Sequence, residues 1–170
     1  MKVHAGGVDS IVRIRTQWRR ERPDLDTSPM ETIGRILRIQ FLVGARMRRL
    51  FQQHGIDPGG FDVLATLRRN GAPHRMNPTD LYKELVLTSG AMTNRIDGLE
   101  RQRLVKRHPD PSDRRGTLIE LTAGGKDLVD RVMTAHMEGE AELLAHLPHG
   151  DRRHLAGLLQ KLLAGLEEEP

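Results

Sequence analysis

The segment that most constrains the fold of this chain is HPDPSDRRGTLIEL, which covers residues 108–121. It places prolines, aspartates and two adjacent arginines between the basic run LVKRH and the β-prone run TLIEL. Turn-forming residues between two short β-prone runs are typical of a β-hairpin. We therefore expect strands over LVKRH and TLIEL, joined by the turn DPSDRRG with Arg114 and Arg115 at its tip.

Three helices are predicted in the segment directly before this hairpin. Asp57 and Asn77 are each followed by a proline, which combines a capping side chain with a residue that fits the first helical turn. They predict one helix beginning in IDPGGF and another over PTDLYKELVL, separated by the turn NGAP. A third helix, SGAMTNRIDGLERQ, is capped by Thr88 or Ser89. Helix, short helix, turn, helix, strand, turn, strand is the order of a winged helix-turn-helix.

Long amphipathic helices flank this central segment. SIVRIRTQWRRE predicts a first helix, and a second runs from about Met30 to His54 with apolar residues at helical spacing. Thr122 caps a long helix that Pro148 ends, and DRRHLAGLLQKLLAGL predicts the last helix. Only 3% of the residues are aromatic and 37% are hydrophobic, which suits helices that share a core with a second copy.

The predicted fold class is therefore mainly α with a small β-wing, a winged helix-turn-helix with long terminal dimerisation helices. We divide the chain into three parts by expected role. Residues 1–53 form N-terminal dimerisation helices, residues 54–121 form the winged helix-turn-helix lobe, and residues 122–170 form C-terminal dimerisation helices.

Charge is unevenly distributed along the chain, whose net charge is +4. Residues 120–170 contain 5 basic and 10 acidic side chains, which leaves 22 basic and 13 acidic ones, a net charge of +9, in residues 1–119. A basic body favours a polyanion such as nucleic acid as its partner. An arginine-rich solvated surface is the alternative interpretation of the same composition.

Other partners and chemistries are disfavoured by the sequence. The chain has no cysteine, no apolar run near the ~20 residues of a membrane helix, and no signal-peptide core at its N-terminus. We therefore expect a cytoplasmic protein without a membrane partner. His146, His149 and His154 do not share one helical face, and neither a nucleotide-binding loop nor a catalytic constellation stands out. We expect no metal, no cofactor and no enzymatic activity.

The third predicted helix has the small polar residues that close approach to DNA requires. The major groove admits one helix, whose side chains read the edges of the bases. A two-stranded wing beside it reaches the minor groove, which arginine side chains enter. Asp110 or Asp113 would brace an arginine of the wing by bidentate pairing. The predicted DNA contacts are Thr88, Ser89, Ala91, Met92, Thr93, Asn94, Asp113, Arg114 and Arg115. The alternatives are a capped surface helix and a solubilising turn.

The stretch SGAMTNRIDGLERQRLVKRHPDPSDRRGTLIELTAGGKDLVD resembles the MarR family of transcription regulators, and the likeness extends over roughly residues 30–165. The segment from Asp110 to Arg115, followed by TLIELTAGG, carries its most specific part. Wings of this family often read Asp-x-Arg-Asp-x-Arg, and Ser112 stands here at the first arginine. The resemblance implies a homodimeric winged helix with interlocked terminal helices. It also implies a repressor, less often an activator, that small ligands release from DNA.

One subgroup of that family responds to urate and related anionic or aromatic compounds and carries an added N-terminal helix with a tryptophan. This chain is similar to it in having its single tryptophan, Trp18, in such a helix. The matching positions of the subgroup's ligand site are Asp62, Arg95 and Arg107. The resemblance implies that both arginines bind an anion, that Trp18 stacks on it, and that a repelled Asp62 shifts the recognition helix. Alternatively, Trp18 packs at a dimer interface, Asp62 braces Arg95 without a ligand, and Arg107 contacts a phosphate.

These features together predict a sequence-specific DNA-binding regulator, a repressor that acts as a homodimer on a palindromic operator. Its partners would be double-stranded DNA, a second copy of the chain and a small anionic or aromatic effector such as urate. The alternative function is a winged-helix module that grips an acidic partner protein without reading DNA sequence.

Overall fold

The computed structural model describes residues 9–85, 92–111, 113 and 116–168. Within these ranges the chain is mainly α with a small antiparallel sheet, which confirms the predicted fold class. In chain order the elements are α1 (Ser10–Glu21), α2 (Met30–Gln53), α3 (Pro58–Arg69), β1 (Arg75–Met76), α4 (Pro78–Lys83), α5 (Met92–Arg101), β2 (Val105–Pro109), β3 (Thr117–Leu121), α6 (Ala123–Leu143) and α7 (His149–Glu167). Internal contacts divide the chain into two compact units, Met1–Arg49 and Leu50–Pro170.

The first unit consists of α1 packed against the first part of α2. Asp9 caps α1, and its side chain accepts a hydrogen bond from the backbone N–H of Ile11 at 2.9 Å. The same carboxylate accepts a hydrogen bond from Nε of Arg35 on α2 at 2.7 Å. Ile11 is buried against Gly34, where an added Cβ would lie 3.0 Å from the Ile11 Cδ1. These contacts, together with an ion pair between Arg15 of α1 and Glu31 of α2, join the two helices.

The second unit is built around α3. Asp57 caps α3 by accepting a hydrogen bond from the backbone N–H of Gly60 at 3.0 Å, as predicted. Contacts reach α3 from α4, α5, α6 and β3, so the helix is buried on more than one face. Val63 and Thr66 are buried, whereas Ala65 between them is only half-buried.

The three strands form one sheet in the order β1-β3-β2, with both pairs antiparallel. Arg107 of β2 pairs with Ile119 of β3, and Ile119 is fully buried. The hairpin between β2 and β3 closes where the Asp110 N–H donates to the Gly116 carbonyl at 3.0 Å and the Gly116 N–H donates to the Asp113 carbonyl at 2.8 Å. The predicted wing is therefore present, next in the chain after α5.

Several element boundaries differ from the prediction. The two-residue strand β1 was not predicted, and α4 ends at Lys83 instead of continuing through ELVL. Strand β2 covers Val105–Pro109, one residue later than LVKRH. Helix α6 ends at Leu143, and α7 begins at His149 rather than at DRRHL, with Pro148 at its N-cap position. Among the described residues, no helix combines the length and apolar character needed to cross a bilayer.

Candidate nucleic-acid interface

Helix α5 is seated on the core by two of its ten residues. Ile96 and Leu99 are 2% and 3% exposed. Thr93 and Asn94 are exposed and Met92 is partly exposed. With 3.6 residues per turn, Asn94 lies on the face opposite Ile96, whereas Met92 and Thr93 lie one turn before Ile96 at the N-terminal end of the helix. The predicted contacts Thr88, Ser89 and Ala91 lie outside the described residues.

Strand β2 of the wing contacts α5, and the turn that closes the wing follows this strand. Asp113 is exposed in this turn. The predicted DNA contacts Arg114 and Arg115 lie outside the described residues, so the role of these two arginines stays a prediction. The described part of the hairpin supplies the geometry that such contacts need, a two-stranded ribbon that directly follows a helix with an exposed polar start.

Arg107 joins the wing to α5. Its Nη2 donates to the Asp97 carboxylate at 2.5 Å, and its Nη1 pairs with the Glu100 carboxylate. Hydrogen bonding to Asp97 raises the pKa of the Arg107 guanidinium, and the charge of Glu100 acts in the same direction. An anion at this position would therefore have to compete with two carboxylates that the guanidinium already binds.

Asp97 and Glu100 are functional candidates that the sequence interpretation missed. They are three residues apart, which places both carboxylates on one face of α5. The strand that carries Arg107 begins four residues after α5 ends. Two acids at helical spacing before a strand with an arginine were the available signal, but many exposed helices show the same spacing without a tertiary partner.

Asp62 and Arg95, two of the predicted ligand-binding residues, lie close together in the second unit. Burial raises the pKa of the half-buried Asp62 carboxyl above 3.8, and this effect outweighs the opposing charge of Arg95. The guanidinium of Arg95 lies so close to Gly59 of α3 that a Cβ at Gly59 would overlap it. Gly59 thus provides the space in which Arg95 approaches α3, a role that no sequence pattern indicated.

An aromatic cluster lies near this pair. The rings of Phe51 and Phe61 stack with centroids 4.6 Å apart, and the His136 ring lies 5.7 Å and 5.6 Å from them. Nε2 of His136 is 3.3 Å from a carboxylate oxygen of Glu140, one turn further along α6. His136 also acts on Asp62 by its charge, in the direction that lowers the pKa of that carboxyl.

Trp18, the fourth predicted ligand residue, belongs to the first unit. It lies in α1 with 47% of its surface exposed. An exposed indole is available for stacking on a planar ligand or for burial by a partner, so its predicted role stays a prediction. Among the described residues, no three histidine, aspartate or glutamate side chains gather in a way that would hold a metal ion.

A seated helix with an exposed polar start, followed by a two-stranded wing on a small helical lobe, defines a winged helix-turn-helix protein. Residues 54–116 match the model of the MarR family. The chain is 37% identical over 146 residues to the transcriptional regulator PecS of Dickeya dadantii, which covers 86% of this chain and 88% of PecS. The chain therefore belongs to the MarR family of transcriptional regulators.

Solved structures agree with this assignment. The MarR family regulator AbsC of Streptomyces coelicolor has the same fold, with a TM-score of 0.73, 21% identity, and coverage of 85% of this chain and 98% of AbsC. A mutant of MarR from Escherichia coli in complex with operator DNA has a TM-score of 0.64 and 29% identity. That match covers 79% of this chain and 96% of the MarR chain.

Proposed function

We propose that this regulator is a homodimeric repressor that binds a palindromic DNA operator. The observation that carries the proposal is the seating of α5, which exposes Thr93 and Asn94 while Ile96 and Leu99 are buried. The operator complex of the MarR relative supports DNA as the partner. The net charge of +9 in residues 1–119 supports a polyanion as well.

In the proposed complex each copy contacts one half-site. The first residues of α5 enter the major groove, and the wing with Arg114 and Arg115 reaches the adjacent minor groove. Two copies related by a two-fold axis place their α5 helices on one face of the duplex. The half-sites are therefore expected about 10 bp apart, one helical turn of DNA.

Enrichment of random-sequence duplexes on the purified protein tests this proposal. A palindrome with the stated spacing is expected, and fluorescence anisotropy on that duplex then measures affinity. Arg115→Ala, and Arg114→Ala to a smaller degree, should weaken binding by about 1–3 kcal/mol. Arg131→Ala, which changes an exposed arginine of α6, is the matched control and should leave affinity unchanged.

The alternative function gives a different outcome in the same experiment. A winged-helix module that grips acidic proteins would enrich no palindrome and would bind duplexes of any sequence equally. Specific DNA binding should also weaken steeply as salt rises, because phosphate neutralisation releases counterions. A flat salt response would contradict the electrostatic part of the proposal.

We also propose that a small anionic or aromatic compound regulates this binding through Asp62, Arg95 and Arg107 of the second unit, while stacking on Trp18 of the first unit stays a prediction. The proximity of Arg95 to the half-buried Asp62 supports an anion-sensitive site, because an anion attracted by Arg95 would repel the Asp62 carboxylate. Thermal-shift measurements with urate and salicylate test it. A stabilising compound should lose its effect in Asp62→Ala and Arg95→Ala, and no stabilisation by any anion would contradict an effector of this chemistry.

A further inference from the structure

Arg107 lies on the core side of the wing sheet. Residues that pair directly across two strands point to the same face, and the pairing partner of Arg107 is the fully buried Ile119. The neighbouring Lys106 points to the other face, where its Nζ lies 3.0 Å from a carboxylate oxygen of Glu120. The Arg107 guanidinium is consequently directed at α5 and not outward from the wing.

The rotation of helix α5 about its own axis depends on its packing on α3 and on its contacts with β2. It buries two residues, Ile96 and Leu99, in its described length of ten. Asp97 directly follows Ile96, and Glu100 directly follows Leu99. The Arg107 guanidinium binds both carboxylates. Because arginine presents its donors in a rigid planar fork, this double contact resists rotation of the helix more than a single flexible ion pair would.

We propose that Asp97, Arg107 and Glu100 form a bracket that sets the orientation of α5 relative to the wing, and that Arg107 is a positioning residue for DNA binding and not a phosphate contact. This inference rests on the proposed DNA-binding function. Thr93 and Asn94 lie within one turn of Asp97, so a rotation of the helix moves both of them away from the base edges. Recognition then depends on two acids that never touch the DNA.

The direction of the change in DNA affinity, when both carboxylates are removed, distinguishes this proposal from a purely electrostatic effect. Asp97→Ala combined with Glu100→Ala removes two negative charges from a lobe that binds a polyanion, which by charge alone should tighten binding. The bracket predicts the opposite, a loss of affinity of about tenfold, the effect of losing a base contact. The matched control, Asp127→Ala with Glu138→Ala, removes two exposed carboxylates of α6 and should bind at least as tightly as the native chain. Unchanged or tighter binding by the Asp97 and Glu100 variant would overturn the proposal.

The salt dependence of DNA binding by Arg107→Ala distinguishes a positioning residue from a phosphate contact. Loss of a phosphate contact lowers the slope of log affinity against log salt by about 0.9. Loss of a positioning residue lowers affinity at every salt concentration and leaves the slope unchanged. A slope reduced by about 0.9 in anisotropy titrations between about 50 and 200 mM salt would therefore overturn the assignment. Arg107→Lys, which keeps the charge but not the planar fork, should recover only part of the affinity.

Hydrogen exchange of the DNA-free protein tests the bracket independently of DNA. The amides of α5 should exchange faster in the Asp97 and Glu100 variant than in the native chain, whereas those of α3 should not change. Equal exchange rates in α5 would overturn the bracket even if DNA affinity fell. If the native chain enriches no DNA sequence, the proposed function fails, while the exchange measurement still decides whether the bracket positions α5.

Discussion

Burial of the Asp62 side chain disfavours its charged form. Desolvation is the largest influence on its pKa and raises it, the nearby Asp57 carboxylate adds to the increase, and the charges of Arg95 and His136 only partly offset it. The folded chain therefore holds the Asp62 proton more tightly than the unfolded chain does. Stability from this group is present below pH 3.8 and is lost as pH rises through the raised folded pKa. Above its raised pKa the ionised side chain costs stability.

Asp62→Asn should therefore raise the melting temperature at pH 7, because the amide has the same shape and no charge to desolvate. The difference from the native chain should shrink as the pH is lowered through the raised pKa of Asp62, because the native side chain then takes up its proton. Thermal unfolding at a series of pH values measures both effects. Asp127→Asn, at an exposed position of α6, is the control. A lower melting temperature for Asp62→Asn at pH 7 would mean that attraction to Arg95 outweighs burial.

Among the elements, the start of α6 shows how closely the wing hairpin and the helices of the second unit are joined. Thr122 caps α6 by accepting a hydrogen bond from the Gly125 N–H at 2.9 Å, and its own backbone N–H donates to the Leu104 carbonyl at 3.0 Å. A Cβ at Gly125 would overlap that same carbonyl, whereas a Cβ at Gly124 would meet only the Thr122 hydroxyl, at 3.8 Å. The close approach of α6 to the Leu104 carbonyl thus requires glycine at position 125 but not at position 124.

Gly125→Ala and Gly124→Ala should consequently have opposite effects. The added methyl group of Gly125→Ala meets a backbone atom that cannot move aside, so the free energy of unfolding should fall by about 1–3 kcal/mol. Gly124→Ala introduces no clash and reduces the entropy of the unfolded chain. The free energy of unfolding should therefore rise by roughly 0.5–1 kcal/mol. Urea unfolding followed by circular dichroism compares the two variants. Equal destabilisation by both would show that helix geometry, and not contact with Leu104, limits this position.

The elements that local chemistry specifies were predictable from the sequence. Caps at Asp57, Asn77 and Thr122 predicted the starts of α3, α4 and α6, and each cap accepts its hydrogen bond in the structure. Strand β1 was not predictable, because two residues carry no periodicity and form a strand only by pairing with β3. The contact of Arg107 with Asp97 and Glu100 was missed for a related reason. It depends on how α5 and β2 approach each other, which no local pattern indicates.

At the scale of the whole molecule, one chain leaves much apolar surface uncovered. Helix α7 has no buried residue, and six of its leucines are between 37% and 58% exposed. They recur at the spacing of a single helical face: Leu155, Leu158, Leu159, Leu162, Leu163 and Leu166. On α2, Ile33, Leu37 and Phe41 are also exposed, at 46%, 62% and 58%. Contiguous apolar faces of this kind mark an interface, and the sequence prediction of a core shared between copies accounts for them.

Leu162→Glu should therefore weaken self-association of the chain. Leu162 lies near the middle of the apolar face of α7, and a two-fold axis makes each substitution act twice, once in each copy. Burial of one leucine contributes about 1.5–3 kcal/mol, so the dissociation constant of the dimer should rise by about tenfold or more. Ala164→Glu introduces the same side chain on the opposite face and should leave the constant unchanged. Sedimentation velocity over a range of concentrations distinguishes the two variants. Because α7 buries no residue within one chain, Leu162→Glu should have the same far-ultraviolet circular dichroism spectrum as the native chain. A native chain that sediments as a monomer would contradict the dimer in the proposed mechanism.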